Sequence, residues 1–439
     1  MKSDKKIADL NVFMIGIGGI SMSGLAKILL KNGVSVFGSD IRYNDEISDL
    51  IKLGATIYSE HSSTNITSSV NLVVYSGAIK EDNPELICAK NLGIKIMERS
   101  EFLGLISQNF AHVIAISGTH GKTTTTAMIA EIFQLAGFNP TIHLGGVSVN
   151  LSTNTIVGSD EYLILEACEY RESFLCLNPE TSVITNIESD HLDYYKDYES
   201  IKRAFQKFAD NSQTIVAPID SDIKHKNLIA IDNYNYKNLQ FTHKTIQYDV
   251  YYMGSFLVHI DLSMVGIYNV FNSLYAIAVA NHYNIPKEII AKALKNFKGV
   301  KRRNEKIGSI DNIPVIIDYA HHPTEIGNSY RGILGVFKSP LVVFQPHTYT
   351  RTYSLFNEFI KVLSLMPNLI LFSTYPARET EIIGGRAEDL ADKLPAARFV
   401  DSIEMLIKFI HKESKSNKFD CVLILGAGDL AENIKNYVE

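Results

Sequence analysis

The chain has 439 residues, a hydrophobic fraction of 46% and a formal net charge of -6 at pH 7. This length is typical of roughly three domains. The acidic balance argues against nucleic acid as the main partner, because such proteins carry a basic surface. No apolar run reaches the roughly 18 residues needed to span a bilayer, so membrane insertion is not expected.

The cysteines and the amino terminus both favour a cytoplasmic protein. The four cysteines are scattered and form no metal-spaced cluster, which is typical of reduced thiols. Residues 1–26 combine lysines with an uncharged stretch, as a signal peptide does. Asp4, Asp9 and the glycines that follow are not typical of such a peptide, so we predict a strand, a turn and a helix instead.

The first predicted strand runs into a glycine-rich turn that contains Gly16, Gly18 and Gly19. A helix follows, and a second strand ends at Asp40, about twenty residues after the turn, where an acid can bond a ribose hydroxyl. This outline is typical of a nucleotide-binding βαβ unit. Because position 21 is Ser and not Gly, the pattern alone is only a weak indication of dinucleotide binding.

Another apolar strand, residues 72–79, carries small residues including Ser76 at its carboxyl end. Ligands of open α/β sheets bind at such ends. His61 lies in a polar loop, where a solvated imidazole is the more common role and a ligand contact is the alternative.

The most informative stretch begins with the apolar run 114–116, continues through a glycine-rich turn and enters a helical pattern. Its polar and glycine residues are Gly118, Thr119, His120, Gly121, Lys122, Thr123 and Thr124. A strand, a loop and a helix in this order cradle a polyphosphate with backbone N–H groups. Lys122 would reach the terminal phosphates and the Thr123 hydroxyl would bind Mg²⁺. The spacing is shorter than usual, because position 116 is Ile where the first glycine would stand. A glycine turn with a solvated lysine is the alternative.

Two strand ends downstream of this loop carry candidate metal ligands. Glu166 follows the apolar residues 162–165, which is where a carboxylate holds Mg²⁺ beside ATP. The alternative is a surface carboxylate. His191 stands among carboxylates and could bind a second metal, or it could pair with Asp193.

The next polar positions allow more than one role. Asn269 and Asn272 share one helix face and could bind an adenine edge, although asparagines there often cap or pack. Arg303 ends a basic turn that could neutralise a phosphate or simply be solvated.

Four consecutive apolar strands after residue 313 end in polar or glycine-rich loops, which predicts a buried parallel sheet with one ligand-binding edge. Asp318, His321 and His322 follow the first of these strands, and Arg351 follows the second. The two adjacent histidines could form a metal pair, but no third ligand is spaced nearby.

These segments together resemble the Mur ligase family over nearly the whole chain. The resemblance rests on GGISMSG (18–24), THGKT (119–123), DYAHHPTEI (318–326) and FQPH (344–347). It implies an α/β protein of three domains. Residues 1–108 would form a UDP-sugar-binding domain with a Rossmann-like parallel sheet. Residues 109–312 would form a central ATP-binding domain with a P-loop ATPase-like mixed sheet, and residues 313–439 an amino-acid-binding domain with a Rossmann-like parallel sheet.

The THGKT loop points to the branch of the family that adds L-alanine to the lactyl carboxylate of UDP-N-acetylmuramate, using ATP and an acyl-phosphate intermediate, in peptidoglycan precursor synthesis. The first glycine turn is then assigned to UDP and not NAD, with Gly18, Gly19, Ile20, Ser21, Asp40, His61 and Ser76. The resemblance places Lys122 and Arg303 at the phosphates, and Asn269 and Asn272 at the adenine. It implies one Mg²⁺ held by Thr123 and Glu166, and a second Mg²⁺ held by His191. Asp318, His321, His322 and Arg351 would line the site between the second and third domains. We expect a monomer or a weak homodimer.

Three positions depart from the family pattern. Tyr268, Thr348 and Asn304 stand where many members have His, Arg and Phe. The group that takes the amine proton is open: His322 is one candidate, and a solvated loop histidine is the alternative.

Three other functions stay open at this point. One is a recycling ligase that attaches a ready-made tripeptide to the same UDP-sugar. The others are an NAD-dependent oxidoreductase and a nucleotide-binding regulator without catalysis.

Overall fold

The computed structural model describes residues 10–191, 194–242, 245–264, 266–377, 379–416 and 418–439. Asp193, the predicted partner of His191, and residues 1–9, with Asp4 and Asp9, lie outside these ranges. The chain divides into two compact units, which are described separately here. The first unit comprises residues 1–118, 125–185 and 204–230, and the second comprises residues 119–124, 186–203 and 231–439.

The first unit begins with a five-stranded parallel sheet in the order β3-β2-β1-β4-β5. Its strands are β1 (Asn11–Ile15), β2 (Ser35–Ser39), β3 (Thr56–Tyr58), β4 (Leu72–Tyr75) and β5 (Lys95–Glu98). Its helices are α1 (Ile20–Lys31), α2 (Asp45–Lys52), α3 (Pro84–Asn91) and α4 (Arg99–Ser107). The central strand β1 is almost wholly apolar and buried, as expected for a strand covered on both faces.

The second sheet has seven strands in the order β12-β11-β10-β6-β9-β7-β8. Its strands are β6 (His112–Ser117), β7 (Thr141–His143), β8 (Thr155–Ile156), β9 (Tyr162–Glu166), β10 (Thr181–Ile184), β11 (Thr214–Ala217) and β12 (Leu228–Ala230). The helices are α5 (Lys122–Leu135) and α6 (Tyr198–Asp210). The sheet is mixed because β8 pairs antiparallel with β7, while the other pairs are parallel.

Residues 231–439 of the second unit begin with a three-stranded antiparallel sheet. The sequence alone indicated only mixed strand-like runs in this region. Its elements are β13 (Tyr234–Phe241), β14 (Ile246–Tyr252), β15 (Ser255–Leu262), α7 (Ile267–His282) and α8 (Lys287–Asn296). Helix α8 packs on β15, and the buried Tyr248 hydroxyl hydrogen bonds to Ser273 of α7. This small sheet therefore supports helix α7, which carries Asn269 and Asn272.

The last sheet has six strands in the order β16-β17-β21-β18-β19-β20. Its strands are β16 (Glu305–Ile310), β17 (Ile313–Asp318), β18 (Pro340–Phe344), β19 (Leu369–Phe372), β20 (Ala397–Val400) and β21 (Cys421–Leu425). The helices are α9 (Pro323–Leu334), α10 (Tyr349–Ser354), α11 (Phe356–Leu363), α12 (Ala387–Ala391), α13 (Ile403–Ser414) and α14 (Leu430–Asn433). Strand β16 is an antiparallel edge, and the other strands are parallel.

The predicted α/β class and the nature of the sheets are confirmed, with β16 as an antiparallel addition to the last one. Successive residues of β18 belong alternately to two apolar clusters, Val343 to one and Phe344 to the other. The last sheet is therefore buried on both faces. The exact domain boundaries stay a prediction. Among the described residues, no helix combines the length and apolar character that crossing a bilayer requires.

Candidate active site

The predicted phosphate loop lies between β6 and α5, as the sequence indicated. Gly118 and Gly121 have φ values of +130° and +82°, which favour glycine. Thr119 N donates to Asn186 O at 3.1 Å, and His120 N donates to the Asn186 side chain at 2.9 Å. The Asn186 amide in turn donates to His120 O at 3.0 Å. Asn186, which lies just beyond β10, therefore holds the loop backbone through hydrogen bonds with both Thr119 and His120.

Lys122 occupies the first position of helix α5, where the helix N-terminus favours an anionic ligand. Its ammonium group donates to Thr119 O at 3.1 Å, so the side chain bends back over the loop. A phosphate held by the loop would therefore meet a cation that is already close.

The loop approaches α7 closely at one point. A Cβ atom at Gly121 would lie only 2.4 Å from Oδ1 of Asn272. Asn272 and Asn269 are both buried and hydrogen bonded to each other at 3.3 Å. The structure thus brings these two asparagines together and places Asn272 against the loop, and their contact with adenine stays a prediction.

His120 lies between two carboxylates. Its Nδ1 is 3.2 Å from Glu325 Oε1, and its Nε2 is 3.3 Å from Glu188 Oε2. Burial disfavours the charged ring, but the hydrogen bonds to both glutamates prevail and raise the pKa of His120 to about 9. The hydrogen bond from His120 likewise lowers the pKa of Glu188. His120 is therefore an imidazolium near neutral pH.

Asp190 and Arg351 form a largely buried ion pair, with Nη2 3.3 Å from Oδ1. Burial opposes ionisation of Asp190, but the charge of Arg351 holds its pKa well below the usual range. His191 adopts a φ of +54°, and its backbone N donates to Asp190 Oδ1 at 2.7 Å. Arg351 also approaches Nδ1 of His347, at 3.4 Å. The predicted residues His191 and Arg351 thus share Asp190 as a neighbour.

Asp318 ends β17 and accepts hydrogen bonds from Ala320 N at 2.8 Å and Asn304 N at 3.1 Å. Burial raises its pKa to about 6, and the charge of Arg303 offsets part of that effect. The Arg303 guanidinium lies over the Tyr319 ring, with Cζ 5.0 Å from its centroid. The basic turn and the end of β17 therefore form one polar cluster.

The two adjacent histidines after β17 are held as neutral rings. Burial, followed by the charge of Arg351, lowers the pKa of His321 to about 3. Burial and the charge of His120 also lower the pKa of His322. His322 caps helix α9, because its Nδ1 accepts from Thr324 N at 3.3 Å, and its Nε2 lies 3.3 Å from Ser189 O.

Two departures from the family pattern meet in space. Asn304 Nδ2 donates a hydrogen bond to the Tyr268 hydroxyl, and Ser329 donates to the Asn304 side chain at 3.2 Å. The third departure, Thr348, has a φ of +68° just before α10. The first two of these positions, Tyr268 and Asn304, are therefore hydrogen bonded to each other.

In the first unit, the glycine turn and Asp40 are directly linked. Gly18 N donates to Asp40 Oδ2 at 2.9 Å, and the Asn44 side chain donates to Gly18 O at the same distance. Ser76 is near this turn, because a Cβ at Gly16 would lie 3.4 Å from its Cβ. Asp40 therefore shapes the turn that contains Gly18, Gly19 and Ile20.

His61 belongs to a polar network with buried members. Its Nδ1 lies 2.8 Å from Glu85 Oε2 and 3.0 Å from the Ser39 hydroxyl. Glu85 is fully buried and also accepts from Asn65 at 2.8 Å. Sequence reasoning missed Glu85, which lies in the first turn of α3 and carries no pattern that marks it as buried.

Ser21 contacts two residues that sequence reasoning also missed. Its hydroxyl lies 2.9 Å from His143 Nε2, and Arg99 donates to it at 3.3 Å. Burial and the charge of Arg99 lower the pKa of His143 to about 4, so this ring is neutral. Asn154 donates to Ile20 O at 2.7 Å, which fixes the same turn.

Glu166 ends β9, and its Oε2 accepts from Gly145 N at 3.1 Å. Thr123, which belongs to the other unit, offers a hydroxyl, and His191 offers an imidazole. Hydroxyl and carboxylate oxygens are hard donors that fit Mg²⁺. The chemistry of these donors fits the predicted metal, and their joint role stays a prediction.

Models of three Mur ligase domains match the chain in order. The "Mur ligase family, catalytic domain" matches residues 11–111, the "Mur ligase middle domain" 116–280, and the "Mur ligase, glutamate ligase domain" 302–428. The UDP-N-acetylmuramate--L-alanine ligase of Clostridium tetani is 44% identical and that of Caldicellulosiruptor saccharolyticus 41%. The match to the Clostridium tetani protein covers 95% of this chain and 96% of that protein. The match to the Caldicellulosiruptor saccharolyticus protein covers 96% of this chain and 97% of that protein.

Solved structures agree with this similarity. A UDP-N-acetylmuramate-alanine ligase from Thermotoga maritima superposes with a TM-score of 0.83 and 28% identity, over 98% of each chain. A murein peptide ligase from Psychrobacter arcticus gives a TM-score of 0.74 at 24% identity, over 98% of each chain, and this likeness concerns the fold alone.

Proposed function

Because this chain belongs to the Mur ligase family, we propose that it joins L-alanine to the lactyl carboxylate of UDP-N-acetylmuramate at the expense of ATP, in peptidoglycan precursor synthesis. Its relatives carry this activity in their names and match nearly its full length. The structural observation that carries the proposal is the loop between β6 and α5, with Lys122 at the helix N-terminus.

The chemistry explains why ATP is needed. A carboxylate is a poor acyl donor, because its leaving group would be oxide. In the proposed first step, a lactyl carboxylate oxygen attacks the γ-phosphorus, the bond to the bridging oxygen breaks and ADP leaves. In the second step, the L-alanine nitrogen attacks the acyl carbon, the C–O bond to the phosphate breaks, and phosphate leaves as the amine loses its proton.

The loop supplies the charge stabilisation for the first step. Backbone N–H groups and the Lys122 ammonium would face oxygens of the transferred phosphoryl group, on which negative charge is spread in the transition state. Thr123 and Glu166 would hold one Mg²⁺ and His191 a second, and this metal would neutralise phosphate charge when bound. These assignments are supported by the residue types and by their places at strand ends and at the start of a helix.

The second step needs a neutral amine and a site for its proton. His321, His322 and His347 are candidates because burial lowers the pKa of each and keeps it uncharged near neutral pH. Both ring nitrogens of His322 face partners, so protonation at Nδ1 would require the ring to release Thr324 N. We propose a cytoplasmic location for the reaction, because its proposed substrates are ATP and the UDP-sugar.

Phosphate release tests the proposal. We expect release only when UDP-N-acetylmuramate, ATP, Mg²⁺ and L-alanine are all present, and a drop of about 10²–10³-fold in Lys122→Ala, as for loss of one key charge-stabilising donor. Glu166→Gln should raise the Mg²⁺ concentration required for half-maximal rate. A Lys122→Ala rate near that of the parent would overturn the loop assignment, and an unchanged Mg²⁺ titration would overturn that of Glu166.

A further inference from the structure

The reaction proposed above assigns no role to the side chain of His120 in the phosphate loop. Its ring is largely buried, with only 12% of the side chain exposed. Both ring nitrogens face carboxylate oxygens, of Glu325 at 3.2 Å and of Glu188 at 3.3 Å. An ionised carboxylate only accepts hydrogen bonds, so both nitrogens must carry hydrogen. The ring therefore acts as a double donor between two acceptors.

The two acceptors belong to different segments. Glu188 follows β10; its backbone N donates to the Thr119 hydroxyl at 2.9 Å, and its carboxylate accepts from the Thr324 hydroxyl at 2.8 Å. Glu325 lies in the first turn of α9 and accepts from His321 N at 3.1 Å. The phosphate loop, the segment after β10 and the start of α9 are therefore joined in one hydrogen-bonded circuit, with His120 at its centre.

We propose that His120 is a positioning residue that couples the phosphate loop to the start of α9, and thereby to the segment after β17 that would receive the amino acid. This inference rests on the proposed function. Glu325 is the connecting group, because it binds His120 with one carboxylate oxygen and the His321 backbone with the other. A change in loop position would then move the segment that contains His321 and His322.

A metal ion is the competing explanation for this cluster. His120, Glu188 and His322 each offer a ligand atom, and these atoms lie within 4.8 Å of one another. A metal at His120 would require a lone pair on one ring nitrogen, whereas the direct contacts to both glutamates use both nitrogens as donors. We therefore assign a proton, and not a metal, to the bridge between His120 and Glu188.

Two substitutions separate the two hydrogen bonds. His120→Asn places an amide donor near the position of Nδ1 and keeps the bond to Glu325. His120→Gln places its amide near Nε2 and keeps only the bond to Glu188. We expect kcat for L-alanine ligation to fall about 10- to 100-fold in His120→Gln, as small misplacements of reacting groups do, and much less in His120→Asn.

ATP affinity provides a second readout. A general structural defect would lower it, whereas loss of the proposed coupling alone would leave it nearly unchanged. Measured by calorimetry without the other substrates, it should stay within about threefold of the parent in both variants, because backbone N–H groups and Lys122 make the phosphate contacts. His259→Gln is the matched control, since His259 pairs with Asp249 at 2.7 Å on the small antiparallel sheet. That control should keep the parental kcat.

The double variant His120→Gln/Glu325→Gln tests whether His120 acts through Glu325. If His120 acts through Glu325, the double variant should be no slower than the slower single variant, because both changes remove the same coupling. Additive losses, equal kcat values in His120→Asn and His120→Gln, or loss of ATP affinity parallel to kcat would each overturn the proposal. So would one equivalent of transition metal retained by the parent enzyme after dialysis. If the parent itself fails to ligate L-alanine, the proposed function fails instead.

Discussion

Gly121→Ala is the substitution for which the structure gives the clearest magnitude. Gly121 has a φ of +82°, which an L-residue adopts at a cost of roughly 1–2 kcal/mol. In addition, the new Cβ would lie 2.4 Å from Asn272 Oδ1, so the asparagine must move. Asn272 is buried and hydrogen bonded to Asn269 at 3.3 Å, which leaves it little room.

The displacement of Asn272 adds two further costs. Loss of its hydrogen bond costs about 0.5–1.5 kcal/mol, and a side chain forced away from its rotamer costs about 0.5–1.5 kcal/mol. We therefore expect Gly121→Ala to destabilise the second unit by about 2–5 kcal/mol, of which about 1–3 kcal/mol is steric.

Gly254→Ala is the matched control. Gly254 lies in the same unit, between β14 and β15, and has the same φ of +82°, but no atom of the described residues lies within 4 Å of its Cβ position. Differential scanning calorimetry should show a larger decrease in Tm for Gly121→Ala, by about 2–4 °C per kcal/mol of the steric cost. Equal decreases in Tm would refute the close contact between the loop and α7. The double variant Gly121→Ala/Asn272→Ala should recover part of the difference.

Three other predictions concern single contacts. Arg351→Met should lower the free energy of unfolding by about 3–5 kcal/mol in urea denaturation, because it removes the cation that is paired with the largely buried charge of Asp190. A loss below about 1 kcal/mol, typical of an exposed pair, would contradict the buried pairing. The pKa of His120 is about 9 in the folded protein against 6.5 in the unfolded chain, so its bonds stabilise the fold fully below pH 6.5 and are lost as the pH rises through about 9. The free energy of unfolding of the parent should therefore exceed that of His120→Gln by at most about 3 kcal/mol near pH 6 and by much less near pH 10. A difference that does not change with pH would count against a charged His120 ring. A double-mutant cycle of Tyr268→Phe and Asn304→Ala should give a coupling of about 1 kcal/mol in unfolding free energy, whereas additive effects would exclude their hydrogen bond.

The sequence predicted best what depends on local order. An apolar run, two glycines and a lysine predicted the strand, loop and helix around Lys122, and the structure has them at those positions. The carboxyl ends of β9, β10, β17 and β18 carry the polar residues expected there. These features follow from spacing along the chain, which is visible without a structure.

Contacts between distant segments could not be predicted in the same way. His120 and Glu325 are 205 residues apart, and nothing in the spacing of either marks the other as its partner. His143 and Arg99, which contact Ser21, come from two elements that only the fold brings together. Likewise Tyr268 and Asn304 looked like separate departures from the family pattern, although they form one hydrogen-bonded pair.

The most direct test of the proposed reaction is a competition between two acceptors. The purified protein would be incubated with ATP, Mg²⁺, UDP-N-acetylmuramate and equal concentrations of L-alanine and of the stem tripeptide, and the products identified by mass spectrometry. We predict UDP-N-acetylmuramate carrying a single alanine, with one ADP and one phosphate formed for each product molecule. A product carrying the tripeptide, or ATP hydrolysis without any conjugate, would contradict the account.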